Sequence, residues 1–209
     1  AKMYDVVRVS ESRLIGEVIE IRGDRASIQV YEETAGLGPG EPVYLTGEPL
    51  SVELGPGLIE SIYDGIQRPL DVIHEQTGDR IARGVELPGL RRERQWDWQS
   101  RVAVGDRVAA GDILGVVQES SLVEHRIMVP PGVEGKVVKV HQGPATVEDV
   151  VVQVETDQGI KDITMMQRWP VRRGRPYKEK LSPEVPLITG QRIIDTFFTV
   201  TKGGTACIP

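Results

Sequence analysis

The sequence predicts a mainly β fold. Apolar residues occur mostly in short runs rich in β-branched side chains, a pattern typical of strands. Glycine and proline, which often mark turns, number 23 and 14 among the 209 residues, whereas aromatic residues make up 5%. We therefore expect strands separated by turns along most of the chain.

The first β unit is predicted over residues 1–54. Its candidate strands are residues 5–9, 14–21, 26–30, 42–44 and 50–54. Their spacing, with turn residues such as Gly23 and Gly40 between them, favours a small barrel or sandwich. Because strand-like sequence begins almost at once after Ala1, we also expect one edge strand upstream of the first residue.

A connecting segment is predicted over residues 55–96. Apolar residues recur at helical spacing between positions 58 and 66, Pro69 interrupts them, and Val72 and Ile73 resume the pattern. We expect two short helical pieces here. The polar and charged residues 84–98 indicate a link to the next unit.

A second all-β unit is predicted over residues 97–167. Its candidate strands are residues 102–104, 107–108, 113–117, 127–129, 135–140, 150–154 and 163–165. Two stretches, VGDRVAAGDILG at 104–115 and PPGVEGKV at 130–137, resemble the biotinyl/lipoyl carrier fold. A carrier of that family presents a lysine on the intervening hairpin, but residues 118–129 contain none. The resemblance leaves open a free-standing β-rich binding or carrier-like module that lacks the attachment lysine.

The last segment, residues 168–209, reads as the entry into an α/β unit. Thr189 is the candidate N-cap of a helix whose apolar face includes Ile193 and Phe197, with Gly203 and Gly204 as its end. A new apolar strand is predicted at 205–208. Such a strand normally pairs with parallel neighbours from later βαβ units, so we expect the chain to be a piece of a longer protein.

Composition narrows the possible partners. A net charge of −6 argues against binding nucleic acid or an anionic membrane, since both attract positive surfaces. No apolar run approaches the roughly 20 residues that span a bilayer, and no export leader is recognised. One basic cluster indicates either an ion-paired or solvated loop or a contact with an acidic partner subunit. Its members are Arg168, Arg172, Arg173, Arg175, Lys178 and Lys180.

The sequence offers no complete active site. The histidines His74, His125 and His141 are scattered, and none has metal-ligand spacing to another histidine or to a cysteine. The acidic doublet at residues 32–33 lies in turn-like sequence, where solvated side chains are expected. Cys207 lies in an apolar stretch and is expected to be a buried, inert thiol. We therefore predict no catalytic, cofactor-binding or metal-binding residue in this chain.

Six motifs in a fixed order carry a family resemblance. They are YEETAG at 31–36, VELGPG at 52–57, IYDGIQRPL at 62–70, WPVR at 169–172, PLITGQR at 186–192 and KGGT at 202–205. In this order they resemble the catalytic A subunits of archaeal and vacuolar-type rotary ATPases, over essentially the whole chain. Thr199 and Cys207 depart from the usual proline and alanine of that family.

The resemblance implies a domain plan. Residues 1–54 would be an N-terminal β-barrel, 55–96 a connecting part of the nucleotide-binding domain, 97–167 a β-rich insert, and 168–209 the start of the α/β P-loop domain. The insert favours a catalytic A subunit over a non-catalytic B subunit. In the family a glycine-rich P-loop follows the position of Pro209, so ATP and Mg²⁺ would be held by residues outside this sequence.

The resemblance also implies partners and place. The parent would alternate with B subunits in a hexameric ring, couple ATP hydrolysis or synthesis to proton or sodium transport, and work at the cytoplasmic face of a membrane that it touches only indirectly. The barrel would join the ring, and the insert would face outward to contact peripheral-stalk subunits. No nucleic acid is implied.

Overall fold

The structure is a computed structural model, and it describes residues 1–59, 61–177, 179–180 and 182–207. Within these residues the chain forms 13 strands and two short helices, which confirms the mainly β fold. It divides into two compact units, Ala1–Gly174 and Arg175–Pro209.

The first unit begins with a four-stranded antiparallel sheet in the order β3-β2-β1-β4. Its strands are β1 (Asp5–Val9), β2 (Leu14–Arg22), β3 (Arg25–Val30) and β4 (Val43–Pro49). Val7, Val9, Leu14 and Val18 form its buried core. Gly16 is required inside this sheet, because a Cβ there would lie 2.8 Å from Ile28 Cγ2.

The strand β5 (Ser51–Leu54) is not hydrogen-bonded to this sheet. It pairs antiparallel with β13 (Gln167–Pro170), so that Glu53 lies opposite Arg168 and Val52 opposite Trp169. The sequence did not predict β13. Its partner lies more than a hundred residues away, and such pairing leaves no local signal.

The first of the two predicted helical pieces is wrong. Residues 61–69 form turns closed by a bridge between Tyr63 and Pro69, while Glu60 lies outside the described residues. The Asp64 carboxylate accepts the N–H groups of Ile66 and Arg68, which is a local alternative to helical bonding. Only the second piece forms, as α1 (Leu70–Thr77) after Pro69.

The middle of the first unit contains two further sheets, β6-β8-β9 and β12-β11-β10-β7. Their strands are β6 (Gln99–Ser100), β7 (Arg107–Val108), β8 (Ile113–Gln118), β9 (Glu124–Met128), β10 (Gly135–Val140), β11 (Val150–Thr156) and β12 (Gly159–Thr164). The predicted strand at 102–104 is absent: these residues lead into a turn at Gly105, whose φ is +105°. The predicted strand at 163–165 is the end of β12, which stops at Thr164.

One hydrophobic core fills this middle region. It includes the buried side chains of Trp98, Leu114, Val137 and Val151, together with Leu90 and Trp96 from the connecting segment. The core therefore draws residues from positions before 97. The domain boundaries at 54, 96 and 167 stay predictions.

The second unit contains one short helix, α2 (Arg192–Phe197), in its described part. The predicted N-cap is wrong, because Gln191 holds that position. The Thr189 hydroxyl instead accepts the Gln191 N–H at 3.1 Å and donates to Asp195 at 2.8 Å. Asp195 thus holds the chain before the helix, and the helix starts later than expected.

The end of α2 also differs from the prediction. The helix stops at Phe197, well before Gly203, because Phe198 leaves the helical conformation. Residues 205–207 form no strand, and positions 208–209 lie outside the described residues. Cys207 is exposed rather than buried, since no sheet forms there to cover it.

No described helix is long and apolar enough to cross a membrane.

Candidate functional site

Four glutamates in the first unit occupy interior positions and join distant segments of the chain. The side chains of Glu17, Glu32, Glu53 and Glu119 are all largely buried, and Glu17 is only 1% exposed. A carboxylate is costly to bury unless hydrogen bonds and opposite charges compensate it. Each one therefore marks a junction that the fold depends on.

At the first junction, Glu17 in β2 binds Arg172, which follows β13. The guanidinium donates to both carboxylate oxygens, at 2.9 and 2.6 Å, and Tyr31 donates a third bond at 2.9 Å. Arg172 also lies 4.4 Å from the ring centre of Tyr4. The bond from Arg172 lowers the pKa of Glu17, and Glu17 in turn raises the pKa of Arg172.

For the basic cluster, the sequence left open an ion-paired or solvated loop and a contact with an acidic partner subunit. The structure shows ion pairs for two of its members. Arg172 is ion-paired with Glu17, and Arg168 pairs more loosely with Glu48 at 3.5 Å. Arg173 lies over the Trp169 ring at 5.9 Å. Arg168 and Arg172 are therefore ion-paired, as the first interpretation expects, although Arg168 lies in β13 and not in a loop. Lys178 lies outside the described residues.

The second junction is built on Glu32. Its carboxylate accepts the backbone N–H groups of Ile15 at 3.2 Å and Gly84 at 2.8 Å, and it pairs with Arg68 at 3.3 Å. Arg68 also binds Asp64 at 2.7 Å. The expectation that residues 32–33 are solvated is wrong for Glu32, because donors from three separate segments surround it.

The third junction links β5 to the connecting segment. Arg92 binds both oxygens of Glu53, at 2.5 and 2.9 Å, and the Leu90 N–H donates at 3.0 Å. Burial alone would raise the pKa of Glu53, but the bonds from Arg92 and Leu90 outweigh it, so the pKa lies below its ordinary value. The Gln67 amide bonds the backbone of Glu53 in both directions, at 2.7 Å each.

The fourth junction lies in the hairpin on which a carrier domain would present its lysine. Glu119 stands at the start of the β8–β9 turn, with its side chain 2% exposed. One carboxylate oxygen accepts the N–H groups of Gly57 at 2.7 Å and Ile59 at 2.9 Å, and the other contacts His125 Nδ1 at 2.8 Å. Burial would raise the pKa of Glu119, yet these bonds lower it. This end of the hairpin is thus anchored to the chain.

The three histidines do not come together. His125 contacts Glu119, His74 contacts Asp79 at 3.2 Å, and His141 contacts the Pro144 carbonyl at 3.0 Å. Among the described residues, no group of three or more histidine, cysteine or acidic side chains could hold a metal ion. The expectation that this chain carries no catalytic or cofactor-binding residue stays a prediction.

The second unit carries the apolar stripe that the sequence indicated. Ile193, Phe197 and Phe198 are exposed, Phe197 by 80%. Leu187, which precedes the helix, is exposed as well. An apolar surface of this kind normally marks a contact surface.

The interior glutamates were not found from the sequence, because each depends on partners far along the chain. One signal was available: Arg68 follows Asp64 at a spacing of four in the IYDGIQRPL motif, and a charged pair amid apolar residues indicates a buried interaction. At each of the four junctions, the motifs that carried the resemblance hold the glutamate itself or one of its hydrogen-bond partners, which for Glu119 is Gly57. They contain Glu32, Glu53, Arg68 and Arg172.

Two family models match the chain. Residues 1–47 match the ATP synthase alpha/beta family, beta-barrel domain, and residues 87–172 match the ATPsynthase alpha/beta subunit barrel-sandwich domain. These matches bear out the predicted N-terminal barrel and the β-rich character of the middle region.

Similar proteins agree over the full length of the chain. It is 62% identical to V-type ATP synthase alpha chain 1 of Clostridium tetani (strain Massachusetts / E88) over 209 residues, which cover 35% of that protein. It is 62% identical to the V-type ATP synthase alpha chain of Thermoanaerobacter sp. (strain X514), covering 36%, and 60% identical to that of Clostridium novyi (strain NT), covering 35%. The chain therefore spans about a third of the length of these relatives.

Proposed function

Since this chain belongs to the ATP synthase alpha/beta family, we propose that it is the N-terminal part of the catalytic A subunit of a V-type rotary ATPase or ATP synthase. The observation that carries the proposal is the identity of 60–62% with V-type alpha chains across all 209 residues. The parent subunit would couple ATP hydrolysis or synthesis to proton or sodium transport, as a peripheral part of a complex at the cytoplasmic face of a membrane.

Among the residues that the structure describes, the side chains do not by themselves fit the binding of Mg²⁺-ATP. The described residues contain no cluster of metal ligands, and the four interior carboxylates are occupied by arginine and backbone donors. ATP and Mg²⁺ would bind to parts of the subunit that follow Pro209. No catalytic step is assigned to the residues present here.

Within the complex, the role of this chain would be the assembly of the subunits. The barrel would contact B subunits in an alternating ring, and the insert would face outward toward peripheral-stalk subunits. The interior junctions support this role, because Glu17, Glu53 and Glu119 each fix segments that are distant in sequence.

Nothing specific favours the free-standing carrier. The hairpin has no lysine for covalent attachment of a cofactor, and Glu119, at the start of its turn, is bonded to the backbone of Gly57 and Ile59. A binding module without attachment chemistry would be distinguished from a rotary subunit by whether it can replace the N-terminal part of one.

A chimera tests the proposal. Residues 1–209 would replace the aligned part of the Clostridium tetani alpha chain, with which they share 62% identity. The chimera should form a ring with the B subunits of that complex and hydrolyse ATP, with the unaltered alpha chain as reference. A chimera that folds, as judged by circular dichroism, but neither assembles nor hydrolyses ATP would contradict the proposal.

A further inference from the structure

A shallow groove lies on the surface of the first unit, between the segments 130–132 and 166–173. It is open to solvent and has a volume of about 510 Å³, many times the roughly 30 Å³ that one water molecule occupies in the liquid. The groove is therefore too wide to enclose a small ion, and it suits side chains of another polypeptide. Its apolar lining residues are Pro130, Pro131, Met166 and Trp169, and its charged ones are Arg168 and Arg173.

The charge of this groove is opposite to that of the chain. Both charged lining residues are arginines, and no described aspartate or glutamate lines the groove. The whole chain, in contrast, has 31 acidic and 25 basic residues and a net charge of −6. A locally positive surface attracts and orients negatively charged partners, so the groove selects for an acidic one.

Arg173 supplies a cation that is not neutralised by a carboxylate. Its guanidinium lies 5.9 Å from the centre of the Trp169 ring, within the roughly 6 Å range of a cation–π contact. Trp169 Nε1 donates to the Arg173 carbonyl at 2.6 Å, which holds the two residues together. In the described part of the chain, Arg173 is exposed and forms no ion pair with an aspartate or glutamate. Its charge is therefore available to a carboxylate from outside, next to an aromatic surface.

Arg168 supplies a second cation, whose present partner can be replaced. It pairs with Glu48 at 3.5 Å, and the two side chains are 62% and 67% exposed. Pairs of this kind contribute little to stability, so a carboxylate from a bound segment can take the place of Glu48. Glu53, which lies opposite Arg168 across the β5–β13 pair, is already bound by Arg92.

We propose that this groove docks an acidic polypeptide segment of a partner protein. An apolar side chain of the segment packs on Trp169 and Met166, and its carboxylates bind Arg168 and Arg173. The planar guanidinium matches the two oxygens of a carboxylate, and tryptophan and arginine are enriched at the energetic centres of protein interfaces. The inference goes beyond the proposed rotary function and does not depend on it, because it rests on the groove alone.

Tryptophan fluorescence of the 209-residue chain tests the docking. Of the three tryptophans, Trp96 and Trp98 are buried and Trp169 is half-buried, so the neutral quencher acrylamide should act mainly on Trp169. The probe is the hexapeptide EELFEE, blocked at both ends. It should protect Trp169 saturably, with a Kd on the order of 0.1 mM at low salt. Added sodium chloride should weaken the binding, because exposed charges are screened.

Two comparison peptides and three variants locate the contact. QQLFQQ, which lacks the charges, and EESSEE, which lacks the apolar side chains, should both bind more weakly than EELFEE. Arg173→Gln should weaken the binding of EELFEE about fivefold, and Arg168→Gln about threefold. Arg25→Gln is the matched control and should leave the affinity unchanged. Arg25 is exposed in β3 and forms no ion pair among the described residues, so this variant has the same net charge as the other two.

Several outcomes would overturn the proposal. They are the absence of saturable protection by EELFEE, equal binding of QQLFQQ, and a loss in Arg25→Gln as large as that in Arg173→Gln, which would show an effect of net charge alone. Tighter binding of a hexamer of deoxythymidine than of EELFEE would assign the groove to single-stranded nucleic acid instead. Circular dichroism checks the fold of each variant. If Arg173→Gln does not fold, Arg168→Gln and the peptide comparison decide.

Discussion

Arg172 donates hydrogen bonds of 2.9 and 2.6 Å to the two carboxylate oxygens of Glu17, which lies 155 positions earlier in the chain. The segment after the last strand of the first unit is thereby fastened to the second strand of the first sheet. Glu17 is 1% exposed, whereas Arg172 is about half exposed, so the pair lies at the edge of the interior. Its two ends are not equivalent, because only the carboxylate is withdrawn from water.

Removing the arginine should therefore be costly. We expect Arg172→Met to lower the free energy of unfolding by about 1–3 kcal/mol, because Glu17 would keep only its bond from Tyr31. Urea denaturation followed by circular dichroism measures the change. Arg22→Met, which breaks the exposed pair with Glu20, is the control and should cost less than about 1 kcal/mol. Equal effects of the two substitutions would show that the junction contributes no more than a surface pair.

The stability of the first unit should fall in acid. The pKa values of Glu17, Glu53 and Glu119 are all lowered from the ordinary value of 4.5. A group whose pKa is lower in the folded state stabilises the fold above its ordinary pKa, and this contribution disappears as the pH falls through the folded value. Unfolding free energies should thus be flat near neutrality and decline below about pH 4.5.

A double substitution tests whether these glutamates, and not other carboxylates of the protein, cause the loss of stability in acid. Glu17→Gln with Glu119→Gln should give a shallower decline with acid than the parent chain, since two of the linked groups no longer titrate. Glu134→Gln, at an exposed position, should leave the slope unchanged. An acid decline of the same steepness in the double variant would mean that other carboxylates are responsible.

The hairpin anchor predicts a local effect. Glu119→Ala removes the acceptor for the N–H groups of Gly57 and Ile59, so both amides should exchange with solvent faster. Hydrogen exchange resolved to these residues measures this, and stability should fall by about 1–3 kcal/mol. Glu124→Ala, on the same hairpin but much more exposed, is the control. Unchanged exchange at Gly57 would show that the anchor is not formed in solution.

Local sequence patterns predicted the strands well and the junctions poorly. Strands 5–9, 107–108 and 135–140 were predicted with the bounds that the structure has, because alternating or β-branched runs end at clear turn residues. The helical piece at 58–66 failed because the Asp64 side chain bonds its own backbone neighbours. The arginine and backbone N–H groups that donate to the carboxylates of Glu17, Glu53 and Glu119 lie 37 to 155 positions away, and a local sequence pattern does not reveal contacts at such a distance.

One glycine in β8 should be irreplaceable for steric reasons. A Cβ at Gly115 would lie 2.3 Å from the buried Trp98 ring and 2.6 Å from the Gln99 carbonyl oxygen. Gly115→Ala should therefore destabilise the middle core by about 1–3 kcal/mol, measured by thermal or urea unfolding. Gly38→Ala, where an added Cβ meets nothing within 4 Å, should change stability little. A fully stable Gly115→Ala chain would contradict the close packing of Trp98 on this strand.

The apolar stripe of the second unit predicts how the chain behaves alone. Ile193, Phe197 and Phe198 are exposed on or next to α2, and burying a large apolar side chain is worth about 1.5–3 kcal/mol. In the parent subunit we expect this stripe to pack against the rest of the nucleotide-binding domain. Without that cover, the 209-residue chain should associate with increasing concentration, or α2 should be poorly protected from hydrogen exchange.

Replacing both phenylalanines tests whether the exposed apolar stripe causes the chain to associate. Phe197→Ser with Phe198→Ser should shift sedimentation profiles toward the monomer, while Ile160→Ser, which removes an exposed apolar residue of the first unit, should not. The strands of the first unit should stay protected in all three chains, because their cores lie within residues 1–174. Strong protection of Ile193 to Phe198 in a monomeric parent chain would show that the stripe is already covered, and the argument from its exposure would fail.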